Sequence, residues 1–431
     1  MKYLPISAEL FKKNRLKLSQ RMTSNSLAIF NSNDVFSTGA DSTLPFDQHR
    51  NIFYLSGVDQ EESILLLFPN AKLKAHREIL FLKETNKHIA IWEGAKLNKS
   101  QATVCSGIKT VYWLNEFESI FSQLMEESTY FYYNNNEHYR QAVEMETRED
   151  RFLKMVKSTY PSHELLPIFP IMESLRGVKE PEELTLIKTA CNITEKGFRR
   201  VLGFVKPGVM EYEIEAEYIH EFIRNRSKGF AYTPIIGSGY NACVLHYTEN
   251  NQKCNDGELL LMDVAAEYAN YTSDMTRTIP VNGRFTARQK AVYQAVLNVK
   301  NIATKLLVPG TMWDAYHVEV GKLMTSELLG LGLIDKSDVQ NEDPEWPAYK
   351  KYFMHGTSHH MGLDTHDFGS LKSPMQANMV FTVEPGIYIP EENMGIRLED
   401  DVVIQAKGCP VNLMQNIPIE IDEIEALMNS N

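Results

Sequence analysis

Two aspartates, Asp263 and Asp274, lie at equal distances from a turn predicted near Tyr268–Ala269. The flanking segments 258–263 and 271–278 have the composition of β-strands, so we expect a hairpin. In that register the two carboxylates face each other, with Cβ atoms about 4.5–5.5 Å apart. Like charges placed in this way are destabilising unless a cation lies between them or one carboxyl is protonated. The pattern therefore indicates a cation site, with two unrelated surface aspartates as the alternative.

A second acidic pair, Glu384 and Glu399, is arranged in the same way about a predicted turn at 390–393. Strands are expected over 379–385 and 395–404, so these carboxylates also face each other. Arg397 is two residues before Glu399, and in a strand both side chains point to one face. An ordinary surface ladder of Arg397 and Glu399 is the alternative. Taken together, the two hairpins predict four carboxylates in two facing pairs.

Histidines are concentrated in the segment 355–367, which holds four of the 12 in the chain. Such clustering is typical of metal binding or acid–base catalysis. We expect His360, and the histidines outside this segment other than His246, to have structural roles. Four carboxylates with one imidazole suit divalent ions such as Mn²⁺, Co²⁺, Fe²⁺ or Mg²⁺, and four negative charges call for two of them. Two ions about 3.5–4 Å apart can share a bridging hydroxide as nucleophile and polarise a carbonyl, as in metal-assisted hydrolysis.

The elements that must position these residues alternate between helical and strand patterns, which predicts an α/β (α+β) fold. Pro161, Pro167 and Pro170 indicate a connector, and we place the boundary between a domain 1–172 and a domain 173–431. Pro181 begins a helix with acidic residues in its first turn. Two further helices are predicted, at 286–307 and 313–331, between the two hairpins.

Composition excludes several classes of protein. The chain has 431 residues, of which 43% are hydrophobic and 23% charged, so neither a disordered nor a fibrous protein fits. The net charge of −12 argues against nucleic acid or an anionic membrane as the main partner. Five scattered cysteines, an odd number, suggest neither a disulfide framework nor a thiolate zinc site. With no apolar run of transmembrane length and no signal-peptide pattern, we expect a cytoplasmic protein.

Four motifs occur in one order between residues 240 and 402: the two aspartates eleven apart, His-Gly-x-x-His from His355, Thr-Val-Glu-Pro-Gly from Thr382 and Gly-Ile-Arg-Leu-Glu-Asp from Gly395. Together they resemble the pita-bread metallopeptidases, a family that includes methionine aminopeptidase, prolidase, aminopeptidase P and the metal-free creatinase. The resemblance covers nearly the whole chain. It implies an N-terminal creatinase/prolidase-type α/β domain, which makes oligomer contacts and shapes the cleft, followed by a pita-bread catalytic domain.

The resemblance also implies roles for individual residues. Two divalent ions, Mn²⁺ in first place with Co²⁺, Fe²⁺ or Zn²⁺ as alternatives, would be bridged by two of five ligands: Asp263, Asp274, His359, Glu384 and Glu399. Asp274 and Glu399 would be the bridging ligands, and Glu384 would also act as the base. The remaining catalytic residues implied are His246, His355 and His366, which hold the substrate and the tetrahedral intermediate, and Arg397, which orients Glu399 and its neighbours.

Within the family, Ser358 before His359, together with the segments 237–239 and 245–250, is more similar to aminopeptidase P than to prolidase. This implies removal of the N-terminal residue from short peptides with proline in second position, by attack of a metal-bridging hydroxide on the Xaa-Pro carbonyl. A homodimer or homotetramer is implied as well. The alternatives are a Xaa-Pro dipeptidase (prolidase) and a non-catalytic binding protein with the same fold. Further substrate contacts are expected, against core or turn roles as the alternative, for Tyr232, Tyr388, Asp41 and Trp92.

Overall fold

A computed structural model of the chain describes residues 2–135, 138, 140 and 144–430. Their contacts form two compact units, 3–176 and 177–430. The proline-containing segment expected to be a connector instead carries a strand, Glu164–Pro167, and a helix, Phe169–Gly177. Both tolerate proline, because the strand is at a sheet edge and Pro170 lies in the first turn of the helix. Among the described residues, the helices are all too short or too polar to cross a membrane.

The first unit is an α/β layer structure. Its helices are α1 (Ala8–Ser19), α2 (Arg50–Ser56), α3 (Lys87–Glu93), α4 (Lys99–Ser106), α5 (Phe117–Glu127), α6 (Arg148–Thr159) and α7 (Phe169–Gly177). Its strands are β1 (Ser26–Asn31), β2 (Ser63–Leu67), β3 (Glu78–Leu82), β4 (Thr110–Trp113), β5 (Tyr130–Tyr133) and β6 (Glu164–Pro167). They form a mixed sheet in the order β4-β3-β2-β1-β5-β6, in which β1 is antiparallel to β2 and parallel to β5.

One hydrophobic cluster of this unit lies on the face of the sheet that α5 and α6 cover. Phe117 and Phe121 of α5 pack with Phe81 of β3, Phe131 of β5 and Val156 of α6. Every residue of β1 is buried, as expected for a central strand with both faces covered.

The second unit carries the two hairpins. Its helices are α8 (Pro181–Leu202), α9 (Glu211–Arg224), α10 (Ala287–Leu306), α11 (Trp313–Gly330), α12 (Lys336–Gln340) and α13 (Ile421–Met428). Its strands are β7 (Ile235–Ser238), β8 (Leu259–Asp263), β9 (Glu267–Tyr268), β10 (Tyr271–Thr272), β11 (Thr276–Pro280), β12 (Val380–Val383), β13 (Gly386–Ile389), β14 (Met394–Arg397), β15 (Asp400–Val403) and β16 (Val411–Asn412). The sheets run in the orders β11-β8-β7, β12-β15-β16, β13-β14 and β10-β9. The mixed α/β class expected from the sequence is confirmed.

The first hairpin differs from the prediction in its register. Its turn is centred on Ala269 and Asn270, both with positive φ as a two-residue hairpin turn requires. Asp263 is therefore paired with Thr276, and the expectation that it lies directly opposite Asp274 is wrong. The second strand is also broken, into β10 and β11, and Asp274 lies in the break.

The second hairpin has the predicted register. Val383 pairs with Asp400 and Gly386 pairs with Arg397, so Glu384 and Glu399 occupy matching positions between these two pairs. Asn393, with φ of 50°, closes the turn after Pro390–Glu392. The hairpin thus brings two acidic residues to the same place in the second unit.

Candidate metal centre

Three side chains meet closely enough to hold one ion. Asp274, His359 and Glu399 each offer a ligand atom, and these atoms lie within 4.8 Å of one another. His359 Nε2 is 3.3 Å from Asp274 Oδ2 and 3.6 Å from Glu384 Oε1. Tyr232 donates its hydroxyl hydrogen to Asp263, with the oxygens 2.5 Å apart. The charge of Asp263 acts on Asp274, so Asp263 borders the same cluster.

The imidazole of His359 is held in the tautomer that a metal ligand needs. Its Nδ1 is 3.0 Å from the carbonyl oxygen of His360, which can only accept a hydrogen. The hydrogen is therefore on Nδ1, and the lone pair of Nε2 is directed at the carboxylates. This is the arrangement by which an outer hydrogen bond orients a ligating histidine.

The positive charge around the cluster is too small for all of its carboxyls to be ionised at the same time. Burial and the charge of Asp263 raise the pKa of Asp274 well above its usual value. Burial and the charges of Asp274 and Glu384 do the same to the pKa of Glu399. Burial raises the pKa of Glu384 to about 7. A divalent cation at this place would supply the missing charge, and oxygen donors with one imidazole suit such an ion.

Arg397 provides the cluster with one fixed positive charge. Its Nη2 donates to Asp263 at 2.7 Å and its Nη1 to the hydroxyl oxygen of Tyr388 at 2.9 Å. It reaches Glu399 through Thr276, which accepts from Arg397 Nε at 3.1 Å and donates to Glu399 Oε2 at 2.6 Å. The direct partner of Arg397 is thus Asp263, and Thr276 links it to the carboxylate that it was expected to orient.

Two residues beside the ligands were not singled out from the sequence. Thr276 is one of them, although it is two residues after Asp274. Asp401 is the other: its Oδ2 accepts from the backbone N–H of Asp274 at 3.1 Å and from Cys191 Sγ at 3.4 Å. One feature of the sequence could have pointed to Asp401. It is two residues after Glu399 in a strand segment, so both side chains are expected on the same face.

Behind the ligands, a buried ion cluster fixes the backbone. Arg277 donates to the carbonyl oxygens of Glu399 and Pro418, at 2.6 and 2.9 Å. Asp400 accepts from Arg277 and pairs with Lys300. These contacts hold β11 against the segment that carries Glu399.

His355 also lies at the cluster and is neutral. Its Nδ1 donates to Gly356 O at 2.8 Å and lies 3.6 Å from Glu384 Oε2, so its Nε2 accepts the hydroxyl hydrogen of Tyr388 at 2.7 Å. Burial and the charge of Arg397 lower the pKa of His355 to about 3. His246 contributes to the same shift and is therefore nearby.

The other predicted site residues are placed as follows. His366 is exposed, and its ring lies 4.2 Å from that of His359 between centroids. Tyr388 is 1% exposed, so its ring belongs to the core and only its hydroxyl reaches the cluster. Asp41 and Trp92 are exposed residues of the first unit, and their substrate contacts stay predictions.

Comparisons with known proteins cover both units. Residues 185–406 match the model of metallopeptidase family M24, and residues 11–132 match that of the aminopeptidase P N-terminal domain. The chain is similar to the Xaa-Pro aminopeptidase of Haemophilus influenzae, with 34% identity over 98% of this chain and 97% of that protein. It is also similar to human Xaa-Pro aminopeptidase 3, with 30% identity over 92% of this chain and 79% of that protein.

Solved structures agree with the sequence matches. The structure of Pseudomonas aeruginosa aminopeptidase PepP superposes with a TM-score of 0.89, at 29% identity and with 99% of each chain covered. Zinc-substituted Escherichia coli aminopeptidase P in complex with product superposes with a TM-score of 0.87, at 31% identity and again with 99% of each chain covered.

Proposed function

Since the chain belongs to metallopeptidase family M24, we propose that it is a Xaa-Pro aminopeptidase, which removes the N-terminal residue from peptides with proline in second position. The expected architecture, an N-terminal α/β domain followed by a pita-bread domain, is confirmed by the matches to both domains and to solved structures. The observation that carries the proposal is the buried group of Asp274, His359 and Glu399. This group combines aspartate, glutamate and imidazole donors, which suit a divalent ion.

Divalent metal ions are the cofactor that this group fits. We propose two ions, Mn²⁺ in the first place, held by the five residues Asp263, Asp274, His359, Glu384 and Glu399. When bound, such ions polarise a carbonyl oxygen and make a coordinated water acidic enough to act as nucleophile near neutral pH.

Glu384 is the residue best placed to move a proton. It is 19% exposed on its side chain, whereas Asp274 and Glu399 are almost fully buried, so it can exchange hydrogens with a water or substrate atom. We infer that Glu384 takes the proton of the attacking water and delivers it to the leaving nitrogen.

The histidines have different roles in this proposal. His355 is neutral: its one N–H is donated from Nδ1 to Gly356 O, and its Nε2 accepts from Tyr388, so it fixes the Tyr388 hydroxyl and carries no cationic charge. His366 lies beside His359 and His246 lies near His355, and both side chains are exposed and thus accessible to a peptide. We infer that His246 and His366 hold the carbonyl oxygen as it gains negative charge.

A prolyl peptide bond has no N–H, and the φ of proline is fixed. Peptidases that bind the N–H of the scissile bond therefore handle it poorly, which is why a dedicated enzyme is needed. The test is hydrolysis of Ala-Pro-Ala and Ala-Pro by metal-stripped protein supplied with Mn²⁺, with Ala-Ala-Ala as the control peptide. We expect release of N-terminal alanine from Ala-Pro-Ala and none from Ala-Ala-Ala. Turnover of Ala-Pro alone would indicate the prolidase alternative, and the absence of turnover with metal bound would indicate a binding protein.

Location and assembly belong to the same proposal. The five cysteines are unpaired, which supports a reducing compartment, and we place the enzyme in the cytoplasm. A homodimer or homotetramer is part of the proposal, and in it a subunit interface would cover the exposed Ile91 and Trp92 of α3. Light scattering during size-exclusion chromatography would measure the assembly.

A further inference from the structure

His246 lies in the segment 238–252 between β7 and β8. Apart from a short 3₁₀ helix, Gly239–Cys243, this segment has no regular hydrogen-bonded structure. Its side chain is exposed, yet the residue is near enough to His355 to affect the pKa of that imidazole. Other contacts must therefore fix where His246 lies.

A single buried carboxylate fixes both ends of the segment. Glu211, the first residue of α9, is 0% exposed. Its Oε1 accepts from Ser238 N at 2.8 Å, and its Oε2 accepts from Gln252 N at 2.9 Å. Its own N–H donates to the carbonyl oxygen of Gln252 at 3.0 Å. The two oxygens of one side chain thus bind the first and the last residue of the segment.

The same carboxylate also contacts the interior of the segment. Tyr247, the neighbour of His246, donates its hydroxyl hydrogen to Glu211 Oε2 at 2.8 Å, and Asn241 Nδ2 lies 3.4 Å from Oε1. Hydrogen bonds to a buried acceptor are stronger than exposed ones, because water does not compete for the donors, so this network holds the segment more firmly than exposed contacts would.

The opposite side of the segment packs directly on β14. A Cβ atom added at Gly395 would lie 2.0 Å from the carbonyl oxygen of Ala242, so only glycine permits this approach. The 3₁₀ helix is therefore confined between the Glu211 network and the strand that carries Arg397.

We propose that Glu211 is a positioning residue, which sets the location of His246 through the hydrogen bond from Tyr247. The inference rests on the proposed function, in which His246 contacts the peptide. A displacement of a substrate-binding group by about 1 Å costs up to about a hundredfold in rate, so a lost hydrogen bond at Tyr247 is sufficient to matter. Glu211 itself touches neither the peptide nor the ligands.

The test is a double-mutant cycle between Tyr247→Phe and His246→Ala on the Mn²⁺-loaded enzyme. Tyr247→Phe removes one hydroxyl and should lower kcat/KM for Ala-Pro-Ala by about tenfold, with metal content unchanged and the melting temperature lowered by no more than a few degrees. In the His246→Ala background the same change should lower kcat/KM no further, because the effect passes through His246. Tyr240→Phe is the matched control, since Tyr240 lies in the same segment with its side chain exposed.

An NMR measurement separates positioning from a general loss of structure. The Cε1–H resonance of His246, assigned by its absence in His246→Ala, should shift in Tyr247→Phe and not in Tyr240→Phe. Equal losses from Tyr247→Phe in both backgrounds, or an unshifted resonance, would overturn the inference. If His246→Ala itself retains full kcat/KM, the role proposed for His246 is wrong, and that result is distinct from failure of the Glu211 link.

Discussion

Thr276 donates its hydroxyl hydrogen to Glu399, with Oγ1 2.6 Å from Oε2, in a part of the core where both residues are almost fully buried. Because the same hydroxyl accepts from Arg397, its orientation is determined on both sides. One oxygen of Glu399 is thereby occupied by a protein donor. The other lone pairs of the carboxylate, on both oxygens, are left for cations, as for a ligand whose direction is set by an outer hydrogen bond.

The substitution Thr276→Val removes this hydroxyl with little change of volume. We expect Mn²⁺ affinity to fall by about 10- to 100-fold, because Glu399 loses its donor and Arg397 its acceptor. Isothermal titration of the metal-stripped protein would measure this change, and Thr276→Ser should recover most of the affinity. Wild-type affinity in Thr276→Val would show that the hydroxyl does not orient the ligand.

Substitution of the ligands should separate metal binding from catalysis. Asp274→Asn and Glu399→Gln each remove one carboxylate from a buried group, and His359→Ala removes the imidazole of the proposed ligand set. We expect all three variants to lose bound metal together with turnover. His246→Ala should lose turnover and retain metal, as measured by elemental analysis after dialysis. Full metal occupancy in Asp274→Asn would contradict a site that contains two ions.

Metal affinity should depend on pH in the neutral range. Before metal binds, burial keeps the pKa of Glu384 at about 7 and the pKa values of Asp274 and Glu399 above their usual range. Protons therefore compete with the cation at low pH, and apparent Mn²⁺ affinity should rise as the pH increases from 6 to 8. Proton release on binding, measured by titration calorimetry in buffers of different ionisation enthalpy, would check this. Affinity that is constant over this interval would count against these ligands.

The first unit carries a separate pH-dependent residue, Glu149 of α6. It is buried, accepts hydrogen bonds from Asn31 and Asn134, and has a pKa raised by burial to about 7. A carboxyl whose pKa is raised on folding stabilises the protein below about pH 4.5, and this contribution is lost as the pH rises through 7. Glu149→Gln should abolish this pH-dependent loss of unfolding free energy, which amounts to at most about 3 kcal/mol.

Urea unfolding of wild type and Glu149→Gln between pH 5 and 9 would measure this difference. The stability of the variant relative to wild type should rise as the pH increases from about 4.5 to 7 and stay constant above pH 7. Glu126→Gln, at an exposed position of α5, serves as the control and should leave the pH profile unchanged. Parallel profiles for wild type and Glu149→Gln would show that Glu149 does not ionise in this interval.

Local patterns were sufficient to predict the fold class and the second hairpin. The register about Asn393 followed from the turn residues, and Glu384 and Glu399 lie where that register puts them. The first hairpin was harder, because Asn270 adopts a left-handed conformation and moves the turn centre by one residue. Asp274 then lies in an irregular break whose conformation depends on Asp401, far along the chain.

The contacts around the ligands could not be derived from the sequence in the same way. Arg397 is separated from Asp263 by 134 residues and Thr276 from Glu399 by 123. No periodicity within a strand or helix reports on such pairs, since they depend on how β8, β11 and β14 pack together. Glu211 was missed for the same reason: its partners are 27 to 41 residues away.

The contact of Arg277 with Pro418 has a consequence for synthesis of the chain on the ribosome. Arg277 also holds the carbonyl oxygen of Glu399, and Tyr293 donates to the carbonyl oxygen of Ile419. Arg277 and Tyr293 therefore cannot make these contacts until residues more than a hundred positions later have been translated. At about 5–20 residues per second, the acidic group remains without its last carboxylate and its backing segment for several seconds, whereas the first unit can already fold. Metal capture is thus an event that follows translation of nearly the whole second unit.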